Sequence, residues 1–311
     1  VSRDIKKSNY YSLASSQNHN KAKLSLGDTY GTGKYAIHDI NKSIHYYTLA
    51  ANQNNAYAQF NLGLLYYYGE KIDQNIKKGI YYIMLSSING SRQADFAHGF
   101  LLHEGKYIKR DIEEAVHYYK EASSFNNQYA KNNLGIIYKN GFREVKPRIG
   151  SAIVYFEEAI RQKNDRLSMY NLAHIYFYDE TVKQNIDKSI DLLIRSSNVF
   201  IHSYILLCIV LIKKVGPDLE KIEDEILKCT KGTSDLLSKI RKFIIHHSLL
   251  DEERYNILYE LYQTKDFLYT IKLDYIESSK LYTLDKHKEI PKYPKAKEIN
   301  KIFYEGFGLY V

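Results

Sequence analysis

The chain has 311 residues, of which 44% are hydrophobic and 26% are charged, a composition that excludes an intrinsically disordered chain. Its formal net charge is +8, yet there is no nucleic-acid recognition motif and no Arg-rich cluster, so we expect no nucleic-acid partner. The two cysteines, Cys208 and Cys229, exclude a disulfide framework, match no zinc spacing and are both expected to be buried thiols.

Glycines recur at a fixed spacing of 36 residues through the first half of the chain. One series comprises Gly27, Gly63, Gly99 and Gly135, and a second comprises Gly33, Gly69, Gly105 and Gly141. A period of roughly 20–50 residues is typical of solenoids, in which each unit buries its apolar face against its neighbours. We therefore predict a repeat array over residues 1–216.

The array is predicted to begin with a half repeat at residues 1–20, where DIKKSNYYSLASS has the pattern of a second helix only. Full units follow near residues 21, 57, 93, 129 and 167, and a degraded unit starts near residue 203. The unit from residue 56 to residue 93 shows the pattern best. Its first helix places an apolar stripe at helical spacing, and its second helix does the same; the stripes are Ala58, Leu62, Leu65 and Tyr66, then Ile76, Ile80, Ile83 and Met84.

Each unit is thus a helical hairpin, and the fold class is predicted to be all-α. Gly63 removes a side chain where two helices must come close, and Gly69 ends the first helix. After Gly216 the period is lost. Residues 217–229 and 233–249 are predicted to be amphipathic helices, and residues 217–311 as a whole are predicted to form a helical C-terminal cap, because a bare solenoid end would expose its core.

The repeated motif A-x-x-x-L-G-x-x-Y, a glycine three residues later, and then K-[AS]-x-x-Y-[YF]-x-x-A resembles the Sel-1-like repeat, a branch of the tetratricopeptide superfamily. The resemblance covers about residues 4–200. It implies a right-handed α-solenoid of antiparallel helix hairpins that acts as a scaffold or adaptor for protein partners.

The same resemblance implies where a partner binds. In such solenoids the first helix of each hairpin lines the concave side, and peptides bind through side chains next to the Leu-Gly pair. The partner-binding residues predicted on this basis are Phe60, Asn61, Leu64, Phe96, Phe100, Asn132, Asn133, Tyr170, Asn171 and His174. Asn amides would hold the backbone of an extended peptide, and the aromatic rings would be apolar anchors. The alternative is that the amides bond only to the neighbouring repeat and the rings belong to the core between repeats.

The sequence offers little sign of catalysis. Gly27–Lys34 has glycines in a P-loop-like pattern, but the spacing is one residue too long and Tyr35 stands where Ser or Thr would be needed. No zinc-protease motif, Cys-x-x-Cys pair or nucleophile elbow is found. We therefore expect no enzyme activity, no cofactor and no metal. The alternative is that these repeats regulate a larger enzyme, such as a kinase, whose catalytic domain lies outside this chain.

Location is only weakly indicated by the sequence. The longest apolar run, from Tyr204 to Ile212, is too short to cross a bilayer, so no membrane insertion is expected. The absence of a disulfide framework favours a reducing, cytoplasmic compartment.

Overall fold

The computed structural model describes residues 11, 19–33, 36–69, 71–142, 145–197, 201–230, 234–246, 249–252, 255–256 and 259. These residues contain thirteen helices and no strand, which confirms the all-α prediction. In chain order the helices are α1 (Asn20–Thr32), α2 (Ile40–Ala51), α3 (Ala56–Tyr68), α4 (Ile76–Ile88), α5 (Arg92–Glu104), α6 (Ile112–Ser124), α7 (Gln128–Asn140), α8 (Ile149–Lys163), α9 (Arg166–Tyr178), α10 (Ile186–Ser197), α11 (Ile201–Val215), α12 (Leu219–Thr230) and α13 (Ser234–His246).

The first ten helices form five hairpins. We call the first helix of each hairpin its A helix and the second its B helix. The A helices are α1, α3, α5, α7 and α9, and the B helices are α2, α4, α6, α8 and α10. Each B helix also packs against the A helix of the next hairpin. The core within the best-defined unit includes Ala58, Leu62, Ile80 and Ile83, all buried, whereas Leu65, Tyr66, Ile76 and Met84 are only partly buried. This arrangement of hairpins is the predicted α-solenoid.

The first glycine series lies where the two helices of a hairpin cross. A methyl group added at Gly63 would lie 2.7 Å from Ile83 Cγ1, 3.0 Å from the backbone nitrogen of Ile83 and 3.1 Å from the carbonyl oxygen of Gly79. At Gly135 the added atom would lie 2.5 Å from the ring of Phe156. Since real Cβ atoms do not approach other atoms this closely, the predicted tight crossing is confirmed.

The second glycine series ends the A helices. Gly69 adopts a left-handed φ of 65°, a conformation that disfavours any side chain. The fifth hairpin has Asp179 instead, at a φ of −83°. There Thr181 donates its backbone N–H to Asp179 Oδ1 over 3.0 Å, and Lys139 Nζ of α7 lies 2.8 Å from Asp179 Oδ2, with only 10% and 8% of the two side chains exposed. A buried ion pair between hairpins thus stands where the other units have glycine.

Tyrosines of the repeated motif stack on one another within the hairpins. The rings of Tyr66 and Tyr82 lie 6.2 Å apart at an angle of 12°. Lys78 places its ammonium 4.1 Å from the centre of the Tyr66 ring and donates to its hydroxyl over 2.9 Å. Equivalent stacks are formed by Tyr30 with Tyr46 and by Tyr138 with Tyr155. The motif lysine and tyrosines therefore have a structural role that joins the A and B helices.

Beyond the fifth hairpin, α11 packs against α10, in the place expected for the degraded unit near residue 203. Helices α12 and α13 agree with the predicted helices at 217–229 and 233–249 to within a few residues. The prediction that both cysteines are buried is wrong for one of them. Cys208 is buried but Cys229 is exposed: Cys229 follows Ile222 and Ile226 at helical spacing, but it is the last residue but one of α12, at the end of that stripe.

The described residues belong to a unit that spans residues 1–271, and a second unit spans residues 272–311. Most of the half repeat at 1–20, and the cap after residue 259, lie outside the described residues. The division of the chain at residue 216 stays a prediction.

Candidate protein-interaction surface

The predicted binding residues lie in corresponding positions on four of the five A helices, namely α3, α5, α7 and α9. We call this set of positions, taken on all five A helices, the A row. It has three positions on each A helix: Leu24, Ser25 and Asp28 on α1; Phe60, Asn61 and Leu64 on α3; Phe96, Ala97 and Phe100 on α5; Asn132, Asn133 and Ile136 on α7; and Tyr170, Asn171 and His174 on α9. The structure brings the row together but buries much of it. Of the ten residues predicted to bind a partner, only Asn61 has more than a small fraction of its surface exposed.

The asparagines of α7 and α9 form a buried polar network. Asn171 donates to Asn132 Oδ1 over 2.9 Å, and Ser168 donates to the same oxygen over 3.1 Å. Asn133 donates to the hydroxyl of Tyr119 on α6 over 3.2 Å. All five residues have essentially no exposed surface. These amides therefore connect three helices from three hairpins, as the alternative interpretation expects, and their contact with a partner stays a prediction.

The aromatic members of the row lie in the core between hairpins. Phe60, Phe96 and Tyr170 have no exposed surface, while Leu64 and Phe100 are 6% and 5% exposed. The ring of Phe96 lies 5.7 Å from Tyr119 and 6.0 Å from Tyr129 of the next A helix. Sequence could not show this, because an apolar stripe has the same spacing whether it faces a partner or a neighbouring helix of the same chain.

Two histidines of α5, His98 and His103, are buried and neutral at physiological pH. Burial lowers the pKa of His98 to about 4, and its ring lies 4.0 Å from that of Tyr118. Burial, with a smaller contribution from the positive charge of Arg110, lowers the pKa of His103 to about 4 as well. His174 is 2% exposed. The uncharged imidazoles of His98 and His103 therefore pack as aromatic rings rather than acting as charged contacts.

The N-terminal end of the row is more open and carries a carboxylate. Tyr47 donates its hydroxyl to Asp28 Oδ1 over 2.7 Å, and Asn61 donates to the same oxygen over 3.4 Å. Burial raises the pKa of Asp28, although the hydrogen bond from Tyr47 opposes that change. Asp28 and Asn61 both remain partly exposed. This end therefore offers a carboxylate and an amide that a partner can reach.

An open cleft of about 460 Å³ lies next to these residues. It is formed by the start of α1, the start of α3 and the turn after α4; its lining residues are Lys21, Leu24, Ser25, Asn55, Ala56, Tyr57, Asn89 and Gly90. Leu24 and Ser25 belong to the A row. Tyr57, on the wall of the cleft, is 59% exposed. Tyrosine is one of the residues enriched at protein interaction surfaces.

The C-terminal end of the row contacts a later part of the same chain. His174 lies 4.8 Å from the ring of Tyr178, one turn further along α9. Tyr178 donates its hydroxyl to the carbonyl oxygen of Tyr259 over 3.2 Å, and their rings lie 5.2 Å apart. Sequence analysis missed Tyr178 and Tyr259, because no periodicity connects residues that are 81 positions apart.

Two properties of the described residues bear on other functions. No group of three or more His, Cys, Asp and Glu side chains there could hold a metal ion. None of the helices in the described part of the chain is both long enough and apolar enough to span a membrane.

Comparisons with known proteins agree with the fold. A family model described as the Sel1 repeat matches residues 20–55, 56–83, 92–124, 128–164 and 166–198, together more than half of the chain. A Sel1 repeat protein from Oxalobacter formigenes is similar in structure, with a TM-score of 0.57 and 21% identity, over 73% of this chain and 99% of that one. A protective antigen present in uropathogenic Escherichia coli strains, which displays an SLR fold, gives a TM-score of 0.64 and 20% identity, over 83% of this chain and 56% of that one. No curated protein matches the chain.

Proposed function

Because this chain belongs to the Sel1 repeat family, we propose that it is a non-enzymatic scaffold that binds a protein partner, or an extended peptide segment of one, on the A row. Proteins of this family are generally scaffolds for protein–protein contacts. The observation that carries the proposal is the open cleft beside the N-terminal end of the row, where Tyr57 is 59% exposed. We propose that this surface lies on the concave side of the solenoid, as the resemblance to such repeats implies.

The accessible part of the row supplies the residues that we propose make the contact. Asn61 can offer both a donor and an acceptor to a peptide backbone. The Asp28 carboxylate already accepts bonds from Tyr47 and Asn61 through one oxygen, which leaves lone pairs of the second oxygen for a donor of the partner. Leu24 and Tyr57 supply apolar area along the cleft. The buried members of the row support this surface from below by fixing the spacing of the A helices.

The proposal is tested with two variants that remove equally exposed tyrosines. Tyr57 is 59% exposed on the cleft, and Tyr81 is 60% exposed on the B helix α4. The full chain, Tyr57→Ala and Tyr81→Ala are used as baits, and captured proteins are quantified by mass spectrometry. We expect at least one protein to be captured by the full chain and by Tyr81→Ala but lost with Tyr57→Ala. Equal capture by all three baits would place the binding surface elsewhere.

A second pair of variants examines the polar contacts. Asn61→Ala and Asp28→Asn keep the shape of the cleft while removing an amide and a charge. Weaker capture of the same protein by both variants is expected. No feature of the described residues favours the alternative of a regulatory segment in a larger enzyme; that alternative and the cytoplasmic location stay predictions.

A further inference from the structure

We propose that Tyr255 and Tyr259 act as an intramolecular ligand at the C-terminal end of the A row, and that this end binds a partner segment with aromatic residues four positions apart once the tyrosine pair is displaced. The first part stands on contacts within the chain. The second part rests on the proposed scaffold function, since it assigns this end of the row to the same kind of partner.

Tyr259 makes several contacts with two helices of the array. Its ring lies 5.2 Å from Tyr178 and 6.0 Å from Phe177, both at the end of α9. Its carbonyl oxygen accepts the Tyr178 hydroxyl. Lys213 of α11 places its ammonium 5.7 Å from the centre of the Tyr259 ring, within the range of a cation–π contact. The residue is thus held against both α9 and α11.

Tyr255, four positions earlier in the chain, extends the same contact. Its ring lies 5.8 Å from that of Tyr259, and its hydroxyl donates to the carbonyl oxygen of Ile209 in α11 over 3.5 Å. The distance between the two rings lies within the range in which aromatic side chains attract one another. Two rings at this spacing therefore meet the array together.

The pair continues a line of aromatic rings that begins inside the A row. Tyr170 lies 6.3 Å from His174, and His174 lies 4.8 Å from Tyr178. Tyr259 and then Tyr255 follow at 5.2 Å and 5.8 Å. Offset and tilted rings at such distances attract one another beyond the burial of their area. The chain itself therefore shows which chemistry this end of the row accepts.

Several features make the tyrosine pair displaceable. Both tyrosines are only partly buried, unlike Ile175 and Leu193 in the core of the last hairpin, which have no exposed surface. The two hydrogen bonds that hold the pair, each donated by a tyrosine hydroxyl to a backbone carbonyl oxygen, are 3.2 Å and 3.5 Å long, longer than the usual range of about 2.5–3.0 Å. A tethered ligand of this kind competes at an effective concentration of roughly millimolar, so a partner with a matching aromatic pair can exchange with it.

The test uses the chain's own segment as the probe. A fluorescent synthetic peptide with the sequence of residues 250–261, LDEERYNILYEL, is titrated with the full chain and with the full-length double variant Y255A/Y259A, and binding is followed by anisotropy. We expect the double variant to bind the peptide about ten times more tightly, which corresponds to a docked segment in about nine of ten wild-type molecules. Tyr178→Ala added to the double variant should abolish binding, as should Ala at both tyrosines of the peptide.

Matched variants and sizing complete the experiment. Tyr81→Ala in place of the double variant should leave binding at the wild-type level, and thermal melting checks that each variant is folded. If Y255A/Y259A does not fold, Tyr255→Ala alone, which keeps the contacts of Tyr259, should give an intermediate gain. Failure of the peptide to bind a folded double variant, or equal binding to the wild type, overturns the proposal.

A second copy of the chain is the other source of the same segment. A wild-type dimer in light scattering that Y255A/Y259A abolishes would overturn the intramolecular assignment, because the segment would then dock between chains. The scaffold proposal fails or stands separately, since its test depends on Tyr57 at the opposite end of the row.

Discussion

The crossing point of the second hairpin gives the sharpest test of the fold. In Gly63→Ala, the added methyl would lie 2.7 Å from Ile83 Cγ1, but also 3.0 Å from the Ile83 backbone nitrogen and 3.1 Å from the Gly79 carbonyl oxygen. Backbone atoms cannot rotate away as a side-chain end can, so the helices α3 and α4 must separate. Overpacking of this kind costs about 1–3 kcal/mol, while Ala gains up to about 1 kcal/mol over Gly in helix propensity. The net loss is expected to be about 1–2 kcal/mol.

The same substitution elsewhere supplies the control. Gly150 lies in the first turn of α8, and a methyl group added there has no atom within 4 Å. Gly150→Ala should therefore stabilise the chain by up to about 1 kcal/mol. Urea unfolding followed by circular dichroism at 222 nm gives both changes, read from the midpoint at constant slope. A Gly63→Ala variant as stable as the wild type would mean that α3 and α4 do not cross at Gly63, and the hairpin assignment would fail.

Three further predictions concern charged and aromatic groups. Asp179→Asn should cost about 1–3 kcal/mol of unfolding free energy at neutral pH, because it removes the partner of buried Lys139. Burial raises the pKa of Asp179, but the hydrogen bonds from Lys139 and Thr181 outweigh burial and lower that pKa overall. The stability that the pair contributes is therefore present above about pH 4 and is lost as pH falls through the lowered pKa, and a wild-type urea midpoint for the variant at neutral pH would contradict the pairing. His98→Phe should reduce the drop in Tm between about pH 7 and about pH 4.5, because a histidine whose pKa is about 4 when folded loses stability as pH falls below its unfolded value of about 6.5; an unchanged drop would show that His98 does not resist protonation. Lys78→Ala should cost about 0.5–1 kcal/mol through the lost contact with Tyr66, whereas Lys71→Ala on the exposed turn should be neutral within about 0.5 kcal/mol, and equal costs would argue against the cation–π contact.

The repeat pattern was enough to predict the fold, because it records local requirements. Gly63 and Gly69 mark a helix crossing and a helix end, and both needs arise within one hairpin. The helices after Gly216 could be placed from their own amphipathic spacing. Each of these features depends on residues that are close together in the sequence, so a single sequence is enough to predict it.

The state of the A row could not be predicted in the same way. Phe96 and Asn132 have the spacing of an exposed stripe, and only the distance between successive A helices decides that they are buried. The contact between Tyr178 and Tyr259 joins distant segments and has no repeat to announce it. Charge and length of the segment after α13 gave no sign that it returns to α9.

The polar network of Asn132, Asn133 and Asn171 has a consequence for how such a chain can change over generations. Its hydrogen bonds run from one repeat into the next, so each unit must supply the donor or acceptor that the buried amide of its neighbour needs. Shuffling, duplicating or excising a single unit at its boundaries would preserve every hairpin and still strand unsatisfied amides in a dry interior, at about 1–3 kcal/mol each. We therefore expect the third, fourth and fifth units to tolerate such separation less well than units joined mainly by apolar rings.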